Sequence, residues 1–344
     1  MKIKNIFPFA ASALLLASCG IYNKYERPEV NAQGLIRDVQ SDTDTLAVAD
    51  TTSFGNLPWR QVFTDPQLQS LIETALAHNT DYLNCALNVK MVEAQLTMAK
   101  LAFLPSVAFT PQGTISQWDG NKASKIYSLP VSASWTVDLF GNILNVKRST
   151  QMQLLGMKDY QLVVKTKLIT NVANMYYTLL MLDRQLEILN SMSELTQDTW
   201  RIMKLQKELG RANETSVQSA EASHYGVLTN IADMKRQIRE VENSLSLVLG
   251  QPAQAIVRGK LADQSLPTEF STGVGIQLLA NRPDVHYAEM ALASCFYDTQ
   301  QARSNFYPQL TISGTGAFTN NSGGGIVNPG KWLLSAVGSL VQPI

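Results

Sequence analysis

The sequence predicts a mixed α and β chain: long coiled-coil-like α-helices forming an α-barrel, plus a four-strand contribution to a transmembrane β-barrel that other copies must complete. Three observations lead there. From Asn142 to Leu209 there is no proline, and within that stretch Leu168, Val172, Met175, Leu179, Leu182, Leu186 and Leu189 alternate steps of four and three. That is the 3.5-residue period of helices packed side by side. Four segments of about 10 to 13 residues alternate polar and apolar side chains, as membrane-spanning β segments do. The order helix, strand, strand also occurs twice, with Phe103-Leu104-Pro105 matched by Phe306-Tyr307-Pro308 at an offset of 203 residues.

Composition bounds the answer. The chain has 344 residues, 45% of them apolar, enough to bury a sizeable core. Lys+Arg and Asp+Glu are both 28, so the formal net charge is zero. Nucleic-acid binders normally carry a basic excess or stripe, so no nucleic-acid partner is expected. Disorder over most of the length is excluded, because low hydrophobicity with high net charge is missing. No run of about 20 apolar residues follows the N-terminus, so no transmembrane helix is expected after processing.

Residues 1–18 read as a signal peptide. Lys2 and Lys4 form its positive start, Ile6 to Ala17 its apolar stretch, and Leu16-Ala17-Ser18-Cys19 its end. Small residues before a cysteine there resemble a bacterial lipobox, which implies cleavage before Cys19 and lipidation of it. Acyl chains on Cys19 would hold the mature N-terminus at a membrane surface, since each buried CH₂ contributes about 0.8 kcal/mol. The alternative is an ordinary secretory signal with an incidental cysteine.

Residues 19–64 form an extended leader with little periodicity. The first repeat, 65–251, opens on Asp65-Pro66, a good N-cap and first helical residue. Leu68, Leu71, Ile72, Ala75 and Leu76 follow at helical spacing, and the helix runs to about Phe103 before Leu104-Pro105. Two strands come next: one from Ser106 to Ser116, the other carrying Tyr127, Leu129, Val131, Ala133, Trp135, Val137 and Leu139 on one face. A helix from Asn142 to Leu209 would be about 100 Å long. Gly210 ends it, and a returning helix spans about Asn213 to Leu249. Residues 252–272 are a linker. The second repeat, 273–344, holds a helix from Gly273 to Arg303 with a bend at Pro283. Its first strand carries Leu310, Ile312, Gly314, Gly316 and Phe318, and its last carries Trp332, Leu334, Ala336, Gly338 and Leu340. Aligning the second strands by their alternation takes Trp135 to Leu340, an offset of 205 residues.

The first copy continues after its strands into about 110 residues of helical hairpin, and the second does not, so the sequence reads as truncated inside the second repeat. Four strands cannot close on themselves, since small barrels need about eight. A sheet in hydrocarbon must close, because open edges leave backbone groups unpaired. The strands must therefore be shared among copies. The alternative is an amphipathic antiparallel sheet in a soluble protein. Tyr127, Trp118, Phe318 and Trp332 near the strand ends fit interfacial girdles.

These residues resemble the outer membrane efflux proteins, the TolC-like outer membrane factors, in their lipoprotein branch. The resemblance covers residues 19–344. It is carried by Leu16-Ala17-Ser18-Cys19, Tyr25-Glu26-Arg27-Pro28, Trp59 with Asp65-Pro66-Gln67-Leu68, and the helix Leu71 to Phe103. Trp135-Thr136-Val137-Asp138-Leu139-Phe140-Gly141 and Ala280-Asn281-Arg282-Pro283-Asp284-Val285 complete it. It implies a homotrimer with a twelve-stranded, trimeric transmembrane β-barrel in the outer membrane of a Gram-negative bacterium. The barrel would be lipid-anchored and continued by helices in the periplasm. It further implies a passive conduit for drugs, toxic compounds or metal ions, in a tripartite pump with a periplasmic adaptor (membrane fusion protein) and an inner-membrane RND-type transporter. The adaptor would dock at the helical tip, here Leu209, Gly210 and Arg211. Several family members carry an Asp before a Val shortly after the tip; this chain has Ser216 before Val217. Two other functions remain open: the duct of an ATP-driven type I secretion system, and a pore-less lipid-anchored coiled-coil scaffold.

No enzyme is expected. His78, His224 and His286 lie on separate helical segments, and HExxH, CxxC, GxSxG and P-loop patterns are missing, so neither a metal site nor a cofactor is expected. Cys85 and Cys295 read as core residues, with a disulfide between them open in an oxidising compartment.

Overall fold

The structure, a computed structural model, describes residues 23–28, 58–117, 119–264, 282–319 and 331–342. They fall into two compact units. One draws on Met1–Asn31, Asn88–Asp159 and Asp284–Ile344, the other on Ala32–Leu87 and Tyr160–Pro283.

The second unit is helical. A short helix α1 (Trp59–Val62) precedes α2 (Pro66–His78), whose N-cap Asp65 accepts a hydrogen bond from the Gln67 amide at 2.8 Å. The single helix expected up to Phe103 is instead broken at Asn79, which is extended at ψ 121°. Asn79 makes that break tolerable: its side-chain oxygen accepts from the Tyr82 amide at 3.0 Å, starting α3 (Thr80–Leu101), and its amide donates to the Val248 carbonyl. The long helix α4 (Asn142–Glu208) has 67 residues, about 100 Å at 1.5 Å per residue. Of the predicted seam, Leu168, Val172, Leu179 and Leu182 are buried, and Met175, Leu186 and Leu189 half-buried. The returning helix α5 (Glu214–Val248) buries Val217, His224, Val227, Ile231, Ile238 and Leu245. The core joins Leu68, Ile72 and Ala75 of α2 to Val172, Tyr176 and Leu179 of α4 and to Leu245 and Leu249. Residues 252–264, expected as linker, form an ordered strap with one 3₁₀ turn (Leu261–Asp263) that plants Ile256 in this core.

The first unit contains the sheet. Its last helix is α6 (Pro283–Ser304), with Pro283 at the first position, where no N–H is needed; the part of the expected helix from Gly273 to Asn281 lies outside the described residues. Residues 265–281 lie outside the described ones. Within this unit Ser149 and Ser294 hydroxyls meet at 3.0 Å, and a Cβ at Gly156 would lie 3.2 Å from Met290 Cβ, so α4 and α6 pack closely there. Among the described residues Cys85 and Cys295 are free; Cys85 is buried, but Cys295 is exposed, since α6 turns Ala293, Ser294 and Tyr297 inward instead.

All strand pairings are antiparallel. The strands are β1 (Ser106–Phe109), β2 (Gln112–Ser116), β3 (Ser124–Val137), β4 (Gln309–Thr319) and β5 (Lys331–Val341). Their order is β1-β3-β4-β5, with β2 also on β3. The expected first strand is therefore two pieces in one register, Phe109 opposite Val131 and Gln112 opposite Ser128, interrupted at Thr110, whose amide donates to the Pro130 carbonyl while Pro130 has no N–H to return. Ser106 faces Ser134 and Gln309 faces Val341, so the second strands of the two repeats correspond at an offset of 207 residues, not 205. A two-residue slip keeps every side chain on its face, so alternation alone could not separate the two values. Where strand meets helix the repeats touch: Phe140 stacks on Tyr307 at 4.9 Å. The Asp138 carboxylate accepts from the Leu144 amide at 2.8 Å, capping α4.

Candidate functional site

The sheet exposes its apolar face. Along β3, Leu129, Val131 and Trp135 are exposed, while Ser128, Ser132, Ser134 and Thr136 are half-buried. Val107, Phe109 and Ile115 on the first edge, Ile312 on β4, and Leu334 and Leu340 on β5 are exposed too, Leu334 by 83%. A water-soluble sheet turns its apolar row inward and its polar row outward. β3 does the reverse, as a strand between hydrocarbon and an aqueous lumen does, while β1 and β5 are exposed on both faces. No helix among the described residues is long and apolar enough to cross a membrane. Both sheet edges, β1–β2 and β5, lack a partner strand among the described residues. Hydrocarbon does not tolerate such edges.

The hairpin tip is set by backbone chemistry. Leu205 to Leu209 complete the last helical turn, and Gly210, at φ +72°, reverses the chain. The Arg211 amide donates to the Gln206 carbonyl and the Gly210 amide to Lys207, the paired bonds of a Schellman stop. Two residues on, the Asn213 side chain accepts from the Ser216 amide at 2.9 Å and starts α5. Gln218 and Lys207 both hold the Glu214 carboxylate, which lowers its pKa from the ordinary value. Leu209 is 71% exposed at the apex. Of the residues singled out from sequence, the structure thus places Leu209, Gly210 and Arg211 together on one tight turn. Cys19 lies outside the described residues, as do residues 1–22.

Apolar stripes run along two of the helices. Ile188, Met192, Leu195, Ile202 and Leu205 stay exposed along α4, as do Leu83, Leu87, Met91 and Met98 along α3. Each follows helical spacing on a face the chain does not cover itself.

Sequence reasoning missed two polar knots in the helical unit. Asp65, already the cap of α2, uses its second oxygen to accept from Tyr176 at 2.5 Å and Gln264 at 2.9 Å. Burial raises the Asp65 pKa, but the hydrogen bonds from Tyr176, Gln264 and the Gln67 amide outweigh it and hold the carboxyl below its usual range. Burial and the bond to Asp65 both push the Tyr176 phenol up. Arg258 of the strap forks onto Asp183 at 2.5 and 2.9 Å and reaches Glu242 at 2.6 Å, with only 14% of its side chain exposed. The bond to Asp183 raises its pKa further. Asp183 lies 75 residues from Arg258, and Tyr176 111 from Asp65, so spacing carried no signal of these two bonds.

Among the described residues no three His, Cys, Asp or Glu side chains converge as a metal site. His224 packs buried against Trp200 with Nδ1 3.2 Å from the Thr196 hydroxyl, and His286 pairs with Asp159 at 2.5 Å.

Long helices together with an antiparallel sheet of a few strands are the fold of outer membrane efflux channels that combine an α-barrel with a β-barrel. The chain belongs to the outer membrane efflux protein family, whose model matches residues 71–251. The probable efflux pump outer membrane protein TtgC of Pseudomonas putida is 25% identical, aligned over 96% of this chain and 70% of its own. The cation efflux system protein CusC of Escherichia coli is 26% identical over 90% of this chain and 67% of its own. The solved structure of CusC superposes with a TM-score of 0.79 at 22% identity, covering 94% of this chain and 72% of that one. The chain thus spans about 70% of the length of these relatives. The family is one of channels, not of enzymes.

Proposed function

We propose that this chain is the outer membrane component of a tripartite efflux pump, a passive conduit closed by three copies of itself. The apolar face turned outward on a sheet with two open edges carries this reading, because only a lipid-facing, subunit-shared wall reconciles both features. Three copies give twelve strands, enough to close a barrel that four cannot. The uncovered stripes of α3 and α4 then pack against neighbouring helices in the periplasm, and the tip at Leu209, Gly210 and Arg211 meets a periplasmic adaptor. An inner-membrane RND-type transporter supplies the energy. Acyl chains on Cys19 anchor the N-terminus in the outer membrane; the docking of Arg27 onto Glu289 through two bonds of 2.6 and 2.5 Å supports a leader held against the body. Relatives named for toluene, antibiotics and cations point to small toxic solutes as cargo.

The test is expression of the chain with its adaptor and transporter in a strain lacking outer membrane efflux channels. Restored resistance to antibiotics or metal salts, with heat-dissociable trimers in the outer membrane fraction, is the expected result. A monomer that stays in the aqueous fraction once Cys19 is replaced would overturn the channel reading.

A further inference from the structure

The two hairpins of the sheet are copies of one another, and their registers state how the open edge of one molecule meets the next. We infer that β5 runs antiparallel to the β1–β2 edge of a second copy with Ser339 opposite Gln112, Gly338 opposite Gly113 and Val337 opposite Thr114. This rests on the channel reading above and adds the residue-level joint to it.

Three constraints fix the register. The first is the direction of backbone groups. The Thr110 amide donates to the Pro130 carbonyl, so even-numbered residues of the β1–β2 edge point to β3 and odd-numbered ones point outward. Alternation then carries across the sheet through the pairs Val131–Gly316 and Ser313–Val337. It leaves the even-numbered residues of β5 pointing outward. An even residue of β5 must therefore sit opposite an odd residue of β1–β2.

The second constraint is the face. The same matching keeps Leu334 and Leu340 on the face that carries Phe109 and Ile115. A one-residue slip would put apolar side chains into the lumen. Slips of two residues survive both constraints.

The third is the duplication. Ser106–Ser134 and Gln309–Val341 are equivalent pairs, so β4 repeats the β1–β2 edge at an offset of 203 and β5 repeats β3 at 207. The β3–β4 joint inside the chain is then the template for the β5 joint between chains. Ser132–Thr315, Val131–Gly316 and Pro130–Ala317 become Ser339–Gln112, Gly338–Gly113 and Val337–Thr114. The template also sets Leu340 against Pro111. Pro111 has no N–H, so that rung loses one bond, and the proline discourages indiscriminate pairing at the free edge.

Cysteine pairs in the full chain decide it, on a Cys295→Ser background because Cys295 is exposed. Ser339 and Gln112 form a pair without mutual backbone bonds, where Cα atoms lie about 4.5 Å apart, within disulfide reach. Oxidation of membranes carrying Gln112→Cys with Ser339→Cys should give intersubunit disulfides at several-fold higher yield than Gln112→Cys with Val337→Cys or with Val341→Cys. Thr114→Cys with Val337→Cys repeats the expectation should the first pair misfold. A slipped pair that crosslinks better overturns this register while leaving the joint and the channel in place. No crosslink from any pair, with the protein in the outer membrane, removes the second copy as the occupant and the channel reading with it.

Discussion

Tyr176 donates its hydroxyl to Asp65 Oδ2 at 2.5 Å, joining the middle of α4 to the start of α2. The same phenol oxygen accepts from the Gly259 amide at 3.1 Å, so the strap is tied in as well. Tyr176 is wholly buried. Tyr176→Phe keeps the ring in the core but leaves the Gly259 amide and one carboxylate oxygen short of a partner. Stability should fall by about 1–3 kcal/mol, the usual cost of an orphaned buried group. Denaturant unfolding followed by tryptophan fluorescence in detergent would read it, and an unchanged midpoint would show the bond to be dispensable.

Asp65 also gives the fold a directed acid sensitivity. Its folded-state pKa lies below the ordinary carboxylate value. A depressed carboxyl contributes stability that is present above its unfolded value, about 3.9, and is lost as pH falls through the folded value. The stability gap between the wild type and Asp65→Asn should thus be constant from neutral pH to about pH 5 and shrink below about pH 4. Melting temperatures of the two proteins across that range give the answer; a gap that widens on acidification would contradict the assignment.

Two glycines end helices in the same left-handed conformation but in different surroundings. Gly210 has φ +72° with open space around it, whereas Gly250, at φ +67°, sits where a Cβ would come within 2.9 Å of the His78 carbonyl oxygen. Gly210→Ala should cost about 1 kcal/mol, the conformational term alone. Gly250→Ala should cost distinctly more, because α2 would have to shift as well. Paired unfolding curves distinguish the two. Efflux should survive Gly210→Ala if the turn keeps its shape, which resistance assays of the same variants would show.

The fold was legible where periodicity is long. The heptads of α4, the stop at Gly210 and the alternation of β3 each depend on neighbours in sequence, so the residues announce them. The break at Asn79 was not legible, because an asparagine inside a helical pattern is unremarkable until its side chain finds the Tyr82 amide and the Val248 carbonyl. The offset of the second strands was misread by two residues, since a strand's faces repeat every two. The tip residues could be named because the turn is local. The Arg258–Asp183, Asp65–Tyr176 and Asp65–Gln264 bonds join residues 75, 111 and 199 apart and left no trace in spacing.

Arg258 carries the last prediction. Its guanidinium forks onto Asp183 of α4 and reaches Glu242 of α5, so a cation from the strap holds together two carboxylates on the two arms of the hairpin. Arg258→Met would fill most of the volume but leave both carboxylates facing each other without a counter-charge. Removing one partner from a buried ion pair costs about 3–5 kcal/mol, and the part-exposed Asp183 sets this case at about 3 or below. Arg258→Lys should recover less than half of the loss, because an ammonium is a point charge and cannot fork onto Asp183 while reaching Glu242. Adding Asp183→Asn and Glu242→Gln to Arg258→Met should restore part of the stability by removing the charges the arginine had balanced. Salt separates this from a surface effect: the network is largely shielded, so the wild-type advantage should persist at about 1 M salt, where exposed pairs are screened within about 3 Å. An advantage that vanished in salt would reduce Arg258 to a surface charge.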